Sequence, residues 1–346
     1  MSDDSFKNTG FSDPELRAAV AVAMAGVAPT AMTLDIEAPK HWPLAREMGW
    51  LTAYLPEAQG GLGLGLAFIA DLGEQVGRHL FSGPLLETAL FLPVLSETLP
   101  KADALAPLLE QIAQGQLRLG FSEDFGQPET GFVTEHLGSA THMLQLLSGS
   151  RESALRVYAV DQAQVAMVQP MDPTASVGRL RPAAPLFEVR LPNAQLAPLH
   201  LALHIATAAD LLGAGEEALV RALEHVKTRR QFGQPIGGFQ VVKHRLADVR
   251  SALDVARLAL ARAVQAPQLQ AVDSGRMARV LAAEAALAAT AAAVQLHGGL
   301  GFSWEMDLHL WLKRVRRLNA RSGGTAALRH ATGERIIRAA LEVSGI

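Results

Sequence analysis

Hydrophobic spacing along the chain changes twice. From Asp13 to about Gln116, apolar residues recur at three- and four-residue intervals with breaks, which predicts helices over Pro14–Met24, Leu66–Val76 and Ala104–Ala113. Pro29 and Pro39 follow the first as breaks, and Pro107 fits the third only inside its first turn. Between the first two lies Leu55-Pro56-Glu57-Ala58-Gln59-Gly60-Gly61-Leu62-Gly63-Leu64-Gly65, whose glycines admit backbone conformations closed to other residues.

From about Leu117 to Leu196 the apolar runs shorten to Met143–Leu147, Leu155–Val160, Gln164–Val168 and Leu186–Leu191, punctuated by Gly, Pro, Asp and Ser. β-branched and aromatic residues concentrate there, so a small β domain is expected. After Pro198 helical spacing returns in Leu201–Arg230 and in Phe239–Ala266, where Phe239, Val242, Leu246, Val249 and Leu253 share a face. A third helix stops at His297 before Gly298 and Gly299, with Asp273 or Ser274 as its expected cap. Ser303 is the expected cap of the next, and a last helix covers Ala326–Val343. The alanine-rich composition suits closely packed antiparallel helices. The expected fold is mainly α with a small central β domain: helices over 1–116, a β domain over 117–198 and a C-terminal helical bundle over 199–346.

At 346 residues the chain is long enough for two or three units, and 49% hydrophobic residues allow a large core. A net charge of -3 gives no reason to expect nucleic acid or an acidic membrane surface as partner. The absence of cysteine excludes disulfides, thiolate metal sites and cysteine nucleophiles, and agrees with a cytoplasmic location. The polar, acidic opening through Leu16 has no apolar core, so no secretory signal is expected. The apolar stretches Leu201–Val220 and Met277–Leu296 carry charges, among them Asp210, Glu216, Arg279 and Glu284, and read as core helices rather than membrane spans. The 11 histidines form no metal-binding spacing, so no metal is expected. The glycines at 61, 63 and 65, and at 299 and 301, follow no strand of a βαβ unit, which argues against a Rossmann site.

Two segments carry candidate chemistry. Arg229-Arg230-Gln231-Phe232-Gly233-Gln234-Pro235-Ile236-Gly237-Gly238-Phe239-Gln240 continues through Lys243 to Leu246-Ala247-Asp248, and Gln295-Leu296-His297-Gly298-Gly299-Leu300-Gly301-Phe302-Ser303-Trp304-Glu305 follows later. In the first, basic residues end a helix at a Gly/Pro turn, where an Arg is placed to pair with a diphosphate and Phe232 offers an aromatic face. In the second, glycines between helices let backbone amides approach a ligand. Taken singly, the arginines read as favourable charges at a helix C-terminus and the glycines as a C-cap. Taken together, they favour a dinucleotide site.

Both segments resemble the acyl-CoA dehydrogenase family, with the glycine-rich element near residue 60 as a weaker third match, in that family's domain order (helical N-domain, β-barrel-like middle, C-terminal four-helix bundle). The resemblance implies FAD as cofactor and removal of a proton from Cα and a hydride from Cβ of an acyl-CoA thioester. It implies that Arg229, Gln231 and Phe232 contact FAD from one subunit, and Gln295, Gly298 and Gly299 from its neighbour. It further implies Ser122 and Thr325 as flavin contacts, a homo- or hetero-oligomer (dimer or tetramer), and an electron acceptor such as an electron-transfer flavoprotein.

The sequence departs from the family where its chemistry is done. The turn that usually bears the catalytic Glu reads Ser322-Gly323-Gly324-Thr325, with Gly323 in place of the acid. The alternative position on the first bundle helix holds Leu203 and His204. His204 is the one titrating side chain there, though a core or interface histidine accounts for it as well. Some bacterial members pair a compact, degenerate subunit with a Glu-bearing one, and Gly77-Arg78-His79-Leu80-Phe81-Ser82-Gly83-Pro84-Leu85-Leu86 resembles a segment of such compact subunits. The expected function is FAD-dependent α,β-desaturation of an acyl-CoA. The alternatives are a non-catalytic subunit completing the FAD site of a heteromer, or a different flavin reaction (monooxygenase or oxidase) on the same fold. The basic run Lys313-Arg314-Val315-Arg316-Arg317 with Arg321 is read as phosphate-binding, as a solvated face or as inter-subunit ion pairs.

Overall fold

Asp13 starts the first helix. Its carboxylate accepts from the N–H of Glu15 at 2.8 Å and from that of Leu16, and Pro14 occupies the first turn, where no N–H is needed. This is a computed structural model, and it describes residues 11–30, 32–99, 105–124, 131–266 and 268–344. The N-terminal helices are α1 (Pro14–Ala25), α2 (Leu34–Glu47), α3 (Gly65–Arg78), α4 (Leu85–Thr98) and α5 (Ala106–Ala113). Pro39, expected as a break, lies inside α2. The spacing missed α4 because that helix is buried at every position from Leu85 to Ser96 and therefore has no polar face to create a period. Ala104, the expected start of α5, lies outside the described residues.

Seven strands follow, in two sheets. β1 (Leu119–Asp124), β3 (His142–Leu147), β4 (Glu152–Ala159) and β7 (Phe187–Pro192) pair in the order β1-β3-β4-β7, with β1 parallel to β3 and the rest antiparallel. β2 (Phe132–Glu135), β6 (Val177–Arg181) and β5 (Gln164–Val168) form an antiparallel sheet in the order β2-β6-β5. Strand alternation sorts the two faces of the larger sheet. Leu144, Leu146, Leu155 and Val157 point into the core shared with the N-terminal helices, while Met143 and Tyr158 meet Phe132 and Leu180 of the smaller sheet.

The C-terminal region contains α6 (Ala197–Thr228), a hairpin of β8 (Arg230–Gln231) and β9 (Gln234–Pro235), α7 (Gln240–Gln265), α8 (Gln268–His297), α9 (Leu308–Ala320) and α10 (Gly324–Ser344). Two expected caps do not act as caps. Asp273 lies within α8, where it pairs with Arg276 at 3.0 Å and with Arg335. Ser303 donates to the Leu300 carbonyl at 3.1 Å, and α9 begins only after Asp307. The helices are also not all antiparallel to their neighbours: α6 and α8 run parallel, with Gly275 against His204, Gly215 against Ala286, and His225 stacked on His297.

Small residues bring α6 close to two other helices. A Cβ on Gly77 of α3 would overlap the Asp210 carbonyl of α6, and one on Gly213 would overlap the Glu74 carbonyl of α3. On its other side, Gly215 admits Leu253 and Ala286. Two segments, Asn193–Thr228 and Ala271–Phe302, are long and apolar enough to cross a membrane, yet 78% and 67% of their apolar windows are buried inside the protein.

Three arginines of the basic run, Arg314, Arg317 and Arg321, form internal ion pairs, whereas Arg316 is exposed along the cleft and Lys313 lies over the Trp304 ring. Arg314 makes a bidentate pair with Asp210 at 2.8 Å for each bond, and its side chain is 2% exposed. Removing one partner strands the other charge in the core. Arg314→Ala is expected to lower stability by roughly 3–5 kcal/mol in urea unfolding, whereas Arg314→Met combined with Asp210→Leu regains part of that loss. Equal losses in the single and double variants would show that the pair is not the source.

Candidate functional site

Two pockets collect the residues singled out in the sequence. The first, of about 680 Å³, is a cleft between the sheets and the bundle. Phe121, Val133, Val168, Met171 and Leu203 give it apolar walls, and Ser122, Ser322 and Gly323 lie along it. Ser122 is buried and its hydroxyl donates to the Val133 carbonyl at 3.3 Å. Thr325 is the second residue of α10, half-buried and outside the lining of the cleft.

The turn before α10 is left-handed over three consecutive residues: Ser322 at φ 55°, Gly323 at 78° and Gly324 at 76°. Such a path suits glycine and strains other side chains. A Cβ at Gly323 would also approach that of Ala327 to 2.8 Å. A side chain at this position would therefore strain the turn.

Beneath the turn lies Arg279, 1% exposed, donating to Ser322 Oγ at 3.2 Å and to the Arg321 carbonyl at 2.8 Å. Burial first, and then the neighbouring Arg321, pull its pKa down to about 10. Ser322 Oγ also bonds Glu123 of β1. Of the three carboxylates lining the cleft, Glu135 is held by Arg317 and by Arg321 at 2.6 Å, and Asp172 by Arg317 at 2.7 Å. Glu123 is held by a hydroxyl instead. Leu203 lines the cleft, whereas His204 points into the core: it is 4% exposed and its Nδ1 lacks a hydrogen-bond partner. Burial, with Arg279 nearby, holds His204 well below the ordinary histidine range, so it stays neutral.

The second pocket, of about 560 Å³, lies where α6 and α8 end. Arg229, Gln231, Gln295, Gly298 and Gly299 all line it. The first motif was expected on one subunit and the second on its neighbour. In this structure parallel packing of α6 and α8 brings both motifs to one pocket of a single chain. Phe232 and Gly233, at φ 54° and 80°, form the tip of the β8–β9 hairpin. The Phe232 ring is 92% exposed and lies outside the pocket lining.

The donor set fits an anionic dinucleotide. It offers one guanidinium, two carboxamides and a glycine backbone at Gly298 and Gly299, where a Cβ would meet only open space. His225 and His297 complete the lining and were not anticipated as site residues. The signal for His297 was its place inside the second motif, and that for His225 was its position one helical turn before Arg229.

The family model of the acyl-CoA dehydrogenase C-terminal domain matches residues 203–337. Acyl-CoA dehydrogenase IpdE2 of Mycobacterium tuberculosis is 35% identical over 273 residues, 79% of this chain and 78% of that protein. The chain belongs to the acyl-CoA dehydrogenase family. IpdE2 of Mycolicibacterium smegmatis is 31% identical over 278 residues, covering 80% of this chain and 81% of that one. Among structures, the Tcur3481-Tcur3483 steroid ACAD superposes with a TM-score of 0.79 at 25% identity, over 94% of this chain and 98% of that one. The ChsE4-ChsE5 complex from Mycobacterium tuberculosis shares the fold at a TM-score of 0.79 and 21% identity, over 95% and 99% of the two chains. In this family member the cleft residues are tied to the helices by ion pairs.

Burial works against an ionised Glu135, but Arg317 and Arg321 beside it hold its carboxyl well below the usual range. A depressed carboxylate adds stability above its unfolded value and loses it as pH falls toward the folded one. Arg321→Met is therefore expected to cost on the order of 3–5 kcal/mol at pH 7. The deficit should shrink below about pH 4 as the carboxylates protonate. Urea unfolding at both pH values checks this, and a pH-independent deficit would remove Glu135 from the account.

Proposed function

We propose that this chain is one subunit of an oligomeric, FAD-dependent acyl-CoA dehydrogenase. It supplies the diphosphate clamp for a flavin whose ring lies in another protomer's cleft, and the desaturation takes its carboxylate base from another subunit. The observation that carries this reading is Gly323, a glycine in a left-handed turn where the family keeps its acid.

The distance between the two pockets supports sharing. Leu203 lines the cleft and His225 lines the clamp, 22 residues apart on one helix, or about 33 Å at 1.5 Å per residue. That is longer than an extended flavin dinucleotide, so clamp and cleft on one chain serve different flavins. Arg229, whose side chain is exposed, contributes a permanent cation for the diphosphate, and the Gly298–Gly299 backbone admits it closely. Bound FAD supplies the hydride acceptor that α,β-desaturation requires. The name of the Tcur3481-Tcur3483 steroid ACAD pairs two chains, which supports a heteromer acting on an acyl-CoA with a steroid-derived body. An electron-transfer flavoprotein is the expected acceptor.

One observation favours a second reading, in which the chain works alone. Glu123 lines the cleft without a guanidinium partner at ion-pair distance and contacts the turn that lost its acid. In that reading Glu123 accepts the α-proton.

Purified alone, the chain is expected to show no bleaching of FAD by acyl-CoA under anaerobic conditions. Co-expressed with a Glu-bearing dehydrogenase subunit, it should yield a complex that retains FAD and turns over. In that complex Arg229→Met should weaken FAD retention by about tenfold or more, the worth of one charge-assisted hydrogen bond. Turnover by the single chain would overturn the subunit reading, and its loss in Glu123→Gln would establish the second.

A further inference from the structure

The clamp contains a pair of side chains that neither motif explains. His225 of α6 and His297 of α8 stack with ring centroids 4.0 Å apart and planes 24° from parallel. His297 Nδ1 lies 2.8 Å from the Ala293 carbonyl, which can only accept, so Nδ1 carries the proton and Nε2 is the ring's remaining polar atom. His225 is half-buried and hydrogen-bonds the Leu296 backbone.

The electrostatics of the pocket call for adjustable positive charge. α6 and α8 run parallel and both end here, so the negative ends of two helix dipoles meet beside a site that takes an anion. Among the described residues no carboxylate lines the pocket. The titratable and charged groups facing it are His225 and Arg229 from α6 and His297 from α8, while Ile236 and the Gly298–Leu300 turn bring none. Arg229 is permanently charged. Burial first, then His297 and Arg229, hold His225 below the ordinary histidine value, so without a ligand His225 is neutral near pH 7. Two imidazoles stacked this close resist holding two protons at once.

We propose that the stacked pair His225–His297 takes up one proton when a diphosphate ester seats in the clamp, so that dinucleotide binding at this pocket is proton-coupled. This rests on the clamp reading given above. A bound anion raises the pair's affinity for a proton, and by linkage the proton raises the pocket's affinity for the anion. Affinity therefore rises as pH falls, by up to about tenfold per pH unit, between the bound-state and free-state values of the pair.

Calorimetric titration with FAD, using the full-length chain in the assembly in which it purifies, tests the proposal. FAD is a suitable probe because its diphosphate diester has no proton to exchange near neutrality. Titrations between about pH 8 and pH 6, in two buffers of different ionisation heat, report both Kd and proton uptake. The expected result is tighter binding at lower pH with about one proton taken up. His225→Gln, at a half-exposed position, is expected to bind FAD with a pH-independent Kd. FAD binding without proton uptake or pH dependence would overturn the proposal and leave the clamp standing. The same pH dependence in His225→Gln would place the proton elsewhere and also overturn it. No FAD binding in any assembly would remove the clamp reading and this proposal together.

Discussion

Three arginines on one face of α9 and the turn after it hold the molecule in register. Arg314, Arg317 and Arg321 recur at three- and four-residue spacing and reach into every region of the fold. Arg314 grips Asp210 of α6, the Phe81 carbonyl at 2.9 Å and Thr174 in the connection from β5 to β6. Arg317 takes Asp172 and Glu135 of the β region, and Arg321 joins Glu135 to Glu87 of α4. Charges buried this deeply are tolerable only while fully paired. A displacement of the β region from the bundle would therefore leave several unpaired charges at once, which fixes the width of the cleft between them.

The same arginines take two of the three cleft carboxylates out of acid–base chemistry. A proton acceptor for an α-carbon needs a free lone pair and a pKa near that of its task. Glu135 is ionised, but two guanidinium groups occupy it and push its basicity far down. Asp172 is tied to Arg317 and to the Thr174 hydroxyl and backbone. The walls are thus built for cohesion, and the turn that would present an acid has the backbone path of a glycine pair.

The sequence carried the clamp better than the cleft, for a physical reason. Arg229, Gln231, Gln295, Gly298 and Gly299 belong to two short contiguous segments, so local spacing alone set their chemistry. Their convergence required the parallel packing of α6 and α8, which periodicity does not encode; hence the motifs were first divided between two protomers. Glu123, Glu135, Asp172, Arg317 and Arg321 come from four separate segments and meet only in three dimensions, and the basic run accordingly admitted three readings. Helices with a polar face, such as α7, were predicted to within a residue or two. α4, apolar all round, gave no period, and β1, β2 and β6 are short strands with glycine or charge inside them.

Placing clamp and cleft at opposite ends of α6 has a consequence for how such a subunit diverges. The two half-sites share one rigid helix but no residues, and Gly213 and Gly215 lock that helix against α3 and α8. On the reading proposed above, the turn at Gly323 can vary without altering the end of α6 or its position relative to α8. The second pocket therefore keeps its geometry whatever residue that turn carries. Self-sufficient catalysis needs both pockets intact in every copy, whereas a mixed assembly needs each only once per flavin. Cleft residues are thereby released to serve as internal ion pairs, and the arginine-laced interior of this chain is the arrangement expected once that release has occurred.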